Sequence, residues 1–97
     1  MNPIEKKKLK AQAHPLNPVV IIGQAGLTEA VSKEINLALD VHELIKVKIR
    51  AERNERNLIS AQICSDAQAE LVQSIGQITV LYRKNPKKQI QAKKNQL

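Results

Sequence analysis

Ninety-seven residues, 42% of them apolar, with a single cysteine, Cys64, supply one modest core. They exclude a second domain, a disulfide framework and a cysteine-based metal site. No apolar run approaches the roughly 18 residues that cross a bilayer, and Met1 to Lys10 lack the apolar stretch of a secretory signal, so a soluble cytoplasmic protein is expected. The net charge of +7 is uneven: Met1 to Ala13 carry four bases and one acid, Arg83 to Leu97 six bases and no acid, and the middle six bases and eight acids. Two basic ends on a near-neutral body point to a polyanionic partner, nucleic acid or an acidic membrane surface.

Asn2 to Ala13 read as a helix, with Asn2 placed to cap it and Pro3 at the first helical position, where its missing N–H costs nothing. Lys6, Lys7 and Lys10 are left for solvent or phosphate. His14-Pro15-Leu16-Asn17-Pro18 breaks the helix, because a residue before proline is pushed toward extended backbone. Val19 to Ile22, four β-branched residues in a row, read as a short buried strand. The loop Gly23-Gln24-Ala25-Gly26 follows and opens into a helix over about Thr28 to Val41. Thr28 caps that helix, Glu29 suits its positive end, and Leu27, Val31, Ile35, Ala38 and Leu39 recur at helical spacing. Glu29, Lys33, Asn36 and Asp40 make its outer face.

Leu44 to Arg50 alternate, with Ile45, Val47 and Ile49 on one side and Lys46, Lys48 and Arg50 on the other. The cationic side either meets nucleic acid or is the solvated side of a half-covered sheet. Glu52 to Asn57 read as a loop into a third helix, with Asn54 as candidate cap and Leu58, Ile59, Ala61, Ile63 and Cys64 as the buried side. Cys64 is a small core residue in this reading, since neither His14 nor His42 shares a ligand or catalytic spacing with it. Glu70 to Ile75 and Ile78 to Tyr82 form a hairpin on Gly76-Gln77, and Asn85-Pro86 ends the fold. The domain is thus residues 1–85, followed by a flexible basic tail over 86–97. The order αβαβαββ implies an α/β fold: a single domain with three helices and a four-stranded mixed sheet, whose strand-helix-strand units pair in parallel and whose final hairpin is antiparallel. How the helices divide between the two faces stays open.

Laid out in this way, the chain resembles the CRM domain, the chloroplast RNA splicing and ribosome maturation family, in its stand-alone bacterial YhbY-like form. The resemblance runs from about Ile4 to about Arg83. It is carried by the basic first helix, Ala13-His14-Pro15-Leu16, Ile22-Gly23-Gln24-Ala25-Gly26-Leu27-Thr28-Glu29, His42-Glu43-Leu44-Ile45-Lys46-Val47-Lys48 and Val80-Leu81-Tyr82-Arg83. It implies an RNA-binding module with a fold similar to the C-terminal domain of bacterial translation initiation factor three, and ribosomal RNA of large-subunit precursors as partner. In many Gly-x-x-Gly RNA binders a middle position is basic, whereas Gln24 and Ala25 are neutral.

The expected mechanism has Gly23, Gln24, Ala25 and Gly26 gripping an RNA backbone through main-chain N–H groups, while Lys6, Lys7, Lys10, Lys46, Lys48, Arg83 and Lys84 neutralise neighbouring phosphates. Tyr82 is the only aromatic, which argues against recognition by several stacked bases. No cofactor, catalytic residue, metal, small-molecule substrate or membrane partner is expected, and the chain is expected to be a monomer. The alternatives are an Alba-like DNA-coating protein and an adaptor whose basic ends contact acidic proteins.

Overall fold

The computed structural model describes residues 1–85, so the expected tail over 86–97 lies outside the described residues. Helix α1 (Pro3–Ala13) begins as its sequence dictates: Asn2 Oδ1 accepts the Glu5 N–H at 2.8 Å, and Pro3 takes the first turn. Strand β1 (Pro18–Ile22) leads through the glycine loop to α2 (Glu29–His42). There Thr28 Oγ1 accepts the Val31 N–H at 3.2 Å. Strand β2 (Leu44–Ile49), helix α3 (Arg53–Ala67) and the hairpin of β3 (Glu70–Ile75) and β4 (Ile78–Tyr82) complete the order αβαβαββ. Gly76 turns the hairpin at φ 55°, a backbone that side chains resist.

The sheet runs β1-β2-β4-β3, with β1 and β2 parallel and both other pairs antiparallel. Alternation on β2 decides what each face holds. Ile45, Val47 and Ile49 are fully buried with Val20, Ile22, Ile35, Leu39, Ile63 and Leu81 beneath α2 and α3. Each such side chain contributes about 1.5–3 kcal/mol by leaving water. Leu44 lies on the other face, where Leu9 and Ala13 of α1 pack with Val72, Val80 and Tyr82. So α2 and α3 share one face and α1 half-covers the other.

Three expectations need correction. The buried strand 19–22 is a sheet edge, and only Val20 and Ile22 are buried while Val19 and Ile21 face water. The polar stretch 52–57 is already helix from Arg53 on, so Asn54 lies inside α3 and the cap position falls to Glu52, whose side chain makes no capping bond. The inward stripe of α3 is Ser60, Ile63 and Ala67, with Ile59 and Cys64 beside it, while Leu58 and Ala61 point outward. Ser60 tolerates burial because its hydroxyl meets that of Thr79 at 3.1 Å. The side-chain oxygens of Ser60 and Thr79 satisfy each other, which a count of apolar residues along one helix could not foresee.

Candidate nucleic-acid interface

Both crossover helices begin at the same end of the sheet. β1 and β2 are parallel and each feeds a helix that returns antiparallel to it, so the N-termini of α2 and α3 sit with the loop after β1 and the hairpin turn. Backbone bonds stitch this end together: Arg50 N–H donates to Ile22 O at 3.0 Å, and Ile49 N–H to Gln77 O at 2.7 Å. Two positive helix ends therefore meet at one surface.

Within the loop, the Gly26 N–H donates to Gly23 O at 3.1 Å and closes a turn whose tip is Gln24 and Ala25. Gly26 holds φ 73°, which accounts for glycine there. Gly23 lies outside that region of φ, and an added Cβ would meet nothing within 4 Å at either glycine. The loop leads through Leu27 to α2, which Thr28 caps as expected, and the Gly26 N–H is engaged in the turn rather than free. Among the described residues the tip N–H groups of Gln24 and Ala25 have no protein acceptor, and Gly23, Gln24 and Ala25 are exposed. Unpaired N–H groups at an exposed tip suit an anion.

The expected cations fall into four groups. Lys48 on β2 shares the loop end, pairing with Ile21 in register. Lys10 and Lys46 line one groove midway along the sheet, and Lys46 Nζ donates to His14 O at 3.2 Å. Lys6 and Lys7 are exposed on α1, and Lys6 lies one turn before Lys10 on the same helix. Arg83 and Lys84 follow Tyr82, which pairs with Leu44 at the opposite end of β2, about 17 Å from the loop at the rise of a strand. The loop end also holds Arg50, which the sequence places on the cationic side of β2, and Arg53, which sequence reasoning left out; both are exposed. Their signal was positional: each stands at a junction on the C-terminal side of β2. Glu29, Glu52 and Glu55 share this end.

Arg83 has other partners. Its Nη1 donates to Asn36 Oδ1 at 2.7 Å and Ala67 O at 2.8 Å, and its Nη2 to Asn36 O at 3.0 Å and Asp40 Oδ1 at 2.9 Å. Asn36 and Asp40, assigned from sequence to a solvent face, are the acceptors that hold it. The Arg83 N–H also donates to Glu43 O at 2.9 Å, and the Asn85 N–H to Glu43 Oε2 at 2.8 Å, which holds Glu43 at its positive φ of 62°. A guanidinium with four acceptors on α2 and α3 clamps the end of β4 to both helices, and these donors are engaged within the protein. At the same end, burial and then the charges of Glu43, Glu5 and Glu70 push the Tyr82 phenol above its ordinary range. Burial likewise raises the Cys64 thiol. Among the described residues no three His, Cys, Asp or Glu side chains could hold a metal ion, and no helix is long and apolar enough to cross a membrane.

Fold and loop together define a small α/β module with a glycine turn at the shared start of two helices. The chain belongs to the CRS1/YhbY (CRM) domain family, whose sequence model matches residues 1–83. It is 50% identical over 88 residues to an "RNA-binding protein" of Haemophilus influenzae, covering 90% of this chain and 89% of that one. It is 48% identical over 84 residues to a "Probable RNA-binding protein" of Pseudomonas aeruginosa, covering 86% and 81%. The solution structure of a hypothetical Staphylococcus aureus protein, SAV1595, superposes with a TM-score of 0.78 at 30% identity, over 88% of this chain and 90% of that one.

Proposed function

We propose that this protein binds RNA through the loop end of the sheet, and that its RNA is ribosomal, in precursors of the large subunit during assembly in the cytoplasm. The observation that carries the reading is the convergence of the unpaired Gln24 and Ala25 N–H groups with two helix N-termini and with Lys48, Arg50 and Arg53. The names of the relatives support RNA as the ligand. The ribosomal target rests on the likeness to stand-alone bacterial members of the family. The tip contacts the sugar-phosphate backbone, while Lys6, Lys7, Lys10 and Lys46 extend the cationic track along α1 and the adjoining sheet. Arg83 and Lys84 stand outside it. With about five phosphates contacted, the logarithm of affinity falls against the logarithm of salt with a slope of roughly −3 to −5.

Replacing Gln24 and Ala25 by aspartates sets two anions at the tip and leaves both glycines in place. We expect at least about a tenfold loss of RNA affinity with an unchanged unfolding midpoint. Unchanged affinity in the folded double variant removes the loop from the interface. Cosedimentation with immature large-subunit particles, lost as salt rises, tests the ribosomal target, and migration with DNA refutes it.

A further inference from the structure

The sheet face that α1 leaves open carries a row crossing all four strands. Ile21 of β1 pairs with Lys48 of β2, Lys48 with Ile78 of β4, and Ile78 with Ile75 of β3. Residues opposite one another across a sheet share a face, so three isoleucines and a lysine form a continuous line about 14 Å long. Ile21 and Ile75 are 53% and 62% exposed. Beside the row, between the C-terminal half of α1 and the sheet, runs a groove of about 460 Å³. Lys10, His14, Lys46 and Gln73 are among its walls, Ile75 and Ile78 belong to its floor, and none of its lining residues is acidic. One end of the row lies two residues from Gly23.

A line that is apolar but for Lys48, beside a groove with cationic walls and no carboxylate in its lining, suits a ligand with flat apolar faces and an anionic edge. We propose that unpaired nucleotides of the RNA strand held at the glycine loop lay their bases on the row Ile21, Lys48, Ile78 and Ile75. This rests on the RNA reading above and adds a contact with bases to one with phosphates. Paired RNA hides its base faces within the stack, so a duplex gains nothing from the row. A second copy of this chain is disfavoured, because its own Lys10, Lys46 and Lys48 would meet these cations. Lys48 and Lys46 then neutralise the phosphates that flank the seated bases, and the Gln73 amide can donate to and accept from a base edge.

The test compares a single-stranded RNA of about 12 nucleotides with a duplex of the same sequence, binding to the full chain by fluorescence anisotropy. Aliphatic contact is weaker than aromatic stacking, so Ile21→Thr combined with Ile75→Thr should lower single-strand affinity about five- to tenfold, with duplex affinity and the salt slope unchanged. Both sites are exposed and threonine keeps the β-branch, so the strands survive. Wild-type protein that binds neither probe overturns the RNA reading and this one with it. Wild-type protein that binds both, with the double variant unchanged or weakened equally for each, overturns the base platform alone, and the second case marks a general loss of structure or charge. A single-stranded probe carrying 4-thiouridine should crosslink the wild-type peptide that contains Ile75 and Ile78; crosslinks confined to other peptides refute the seating.

Discussion

The two ends of this sheet are built from the same residue types and use them in opposite ways. At the Arg83 end the helix C-termini, Asp40, Glu43 and the carbonyls of Asn36 and Ala67 supply acceptors, and a cation entering there is captured by the protein itself. At the loop end the helix N-termini supply donors, and although Glu29, Glu52 and Glu55 share this end, none of them forms an ion pair with Lys48, Arg50 or Arg53 among the described residues, so these cations stay open to an external anion. A basic residue at the C-terminal end of a crossover helix is thus more readily structural, and one at its N-terminal end is more readily available to a ligand. Sequence position alone treats Arg83 and Arg50 as equivalent positive charges.

The largest effect that would break this contrast comes from Arg83→Ala. It leaves acceptors on α2 and α3 without their donor, so urea unfolding should report a loss of about 2–4 kcal/mol. RNA affinity measured where the variant is still folded should stay within about twofold. A variant of intact stability that loses RNA would instead move Arg83 into the interface.

The glycines sharpen the loop side. Gly26→Ala forces a side chain into φ 73° and should cost about 1 kcal/mol in stability. Gly23→Ala meets neither a positive φ nor a neighbouring atom, so its unfolding midpoint should hold while a ligand backbone pressed against the loop is pushed away and affinity falls. Equal stabilities for the two variants would show that the turn relaxes.

A smaller effect separates the cations. Lys48→Gln should reduce the salt slope of RNA binding by about 0.7–0.9, the share of one phosphate, whereas Lys84→Gln should leave it unchanged.

The smallest effect lies in alkali. The Tyr82 phenol is raised in the folded protein, so below its ordinary value of 10.0 both states keep the proton and stability is whole. As pH rises past that value the unfolded chain ionises first, and stability falls until the folded phenol ionises too. Tyr82→Phe should flatten this decline in urea midpoints measured up to about pH 11. An identical decline in both proteins would assign it to other groups.

Much of the architecture was legible because its signals are local. The Asn2 and Thr28 caps, the period-two pattern of Ile45, Val47 and Ile49, and Gly76 in the hairpin each depend on neighbours a few residues away. Asn54 misled because capping preference says nothing about where packing places the first turn, and both the cap and the start of α3 lie two residues earlier than a cap at Asn54 would put them. Leu58 misled because hydrophobicity does not name the inward side of a helix with a weak apolar stripe; Ser60 is inward since Thr79 is there to bond it.

The sequence by itself determined the elements, their order, the basic ends and the glycine loop, since dihedral preference, capping and alternation act over a few residues. Tertiary structure alone decided that α1 stands apart from α2 and α3 and that Arg83 is a clamp. It also brought Arg50, Arg53 and Lys48 to the loop and aligned Ile21, Lys48, Ile78 and Ile75 in one row. Each of these depends on which strands lie side by side and in what register, and register joins residues that are far apart along the chain.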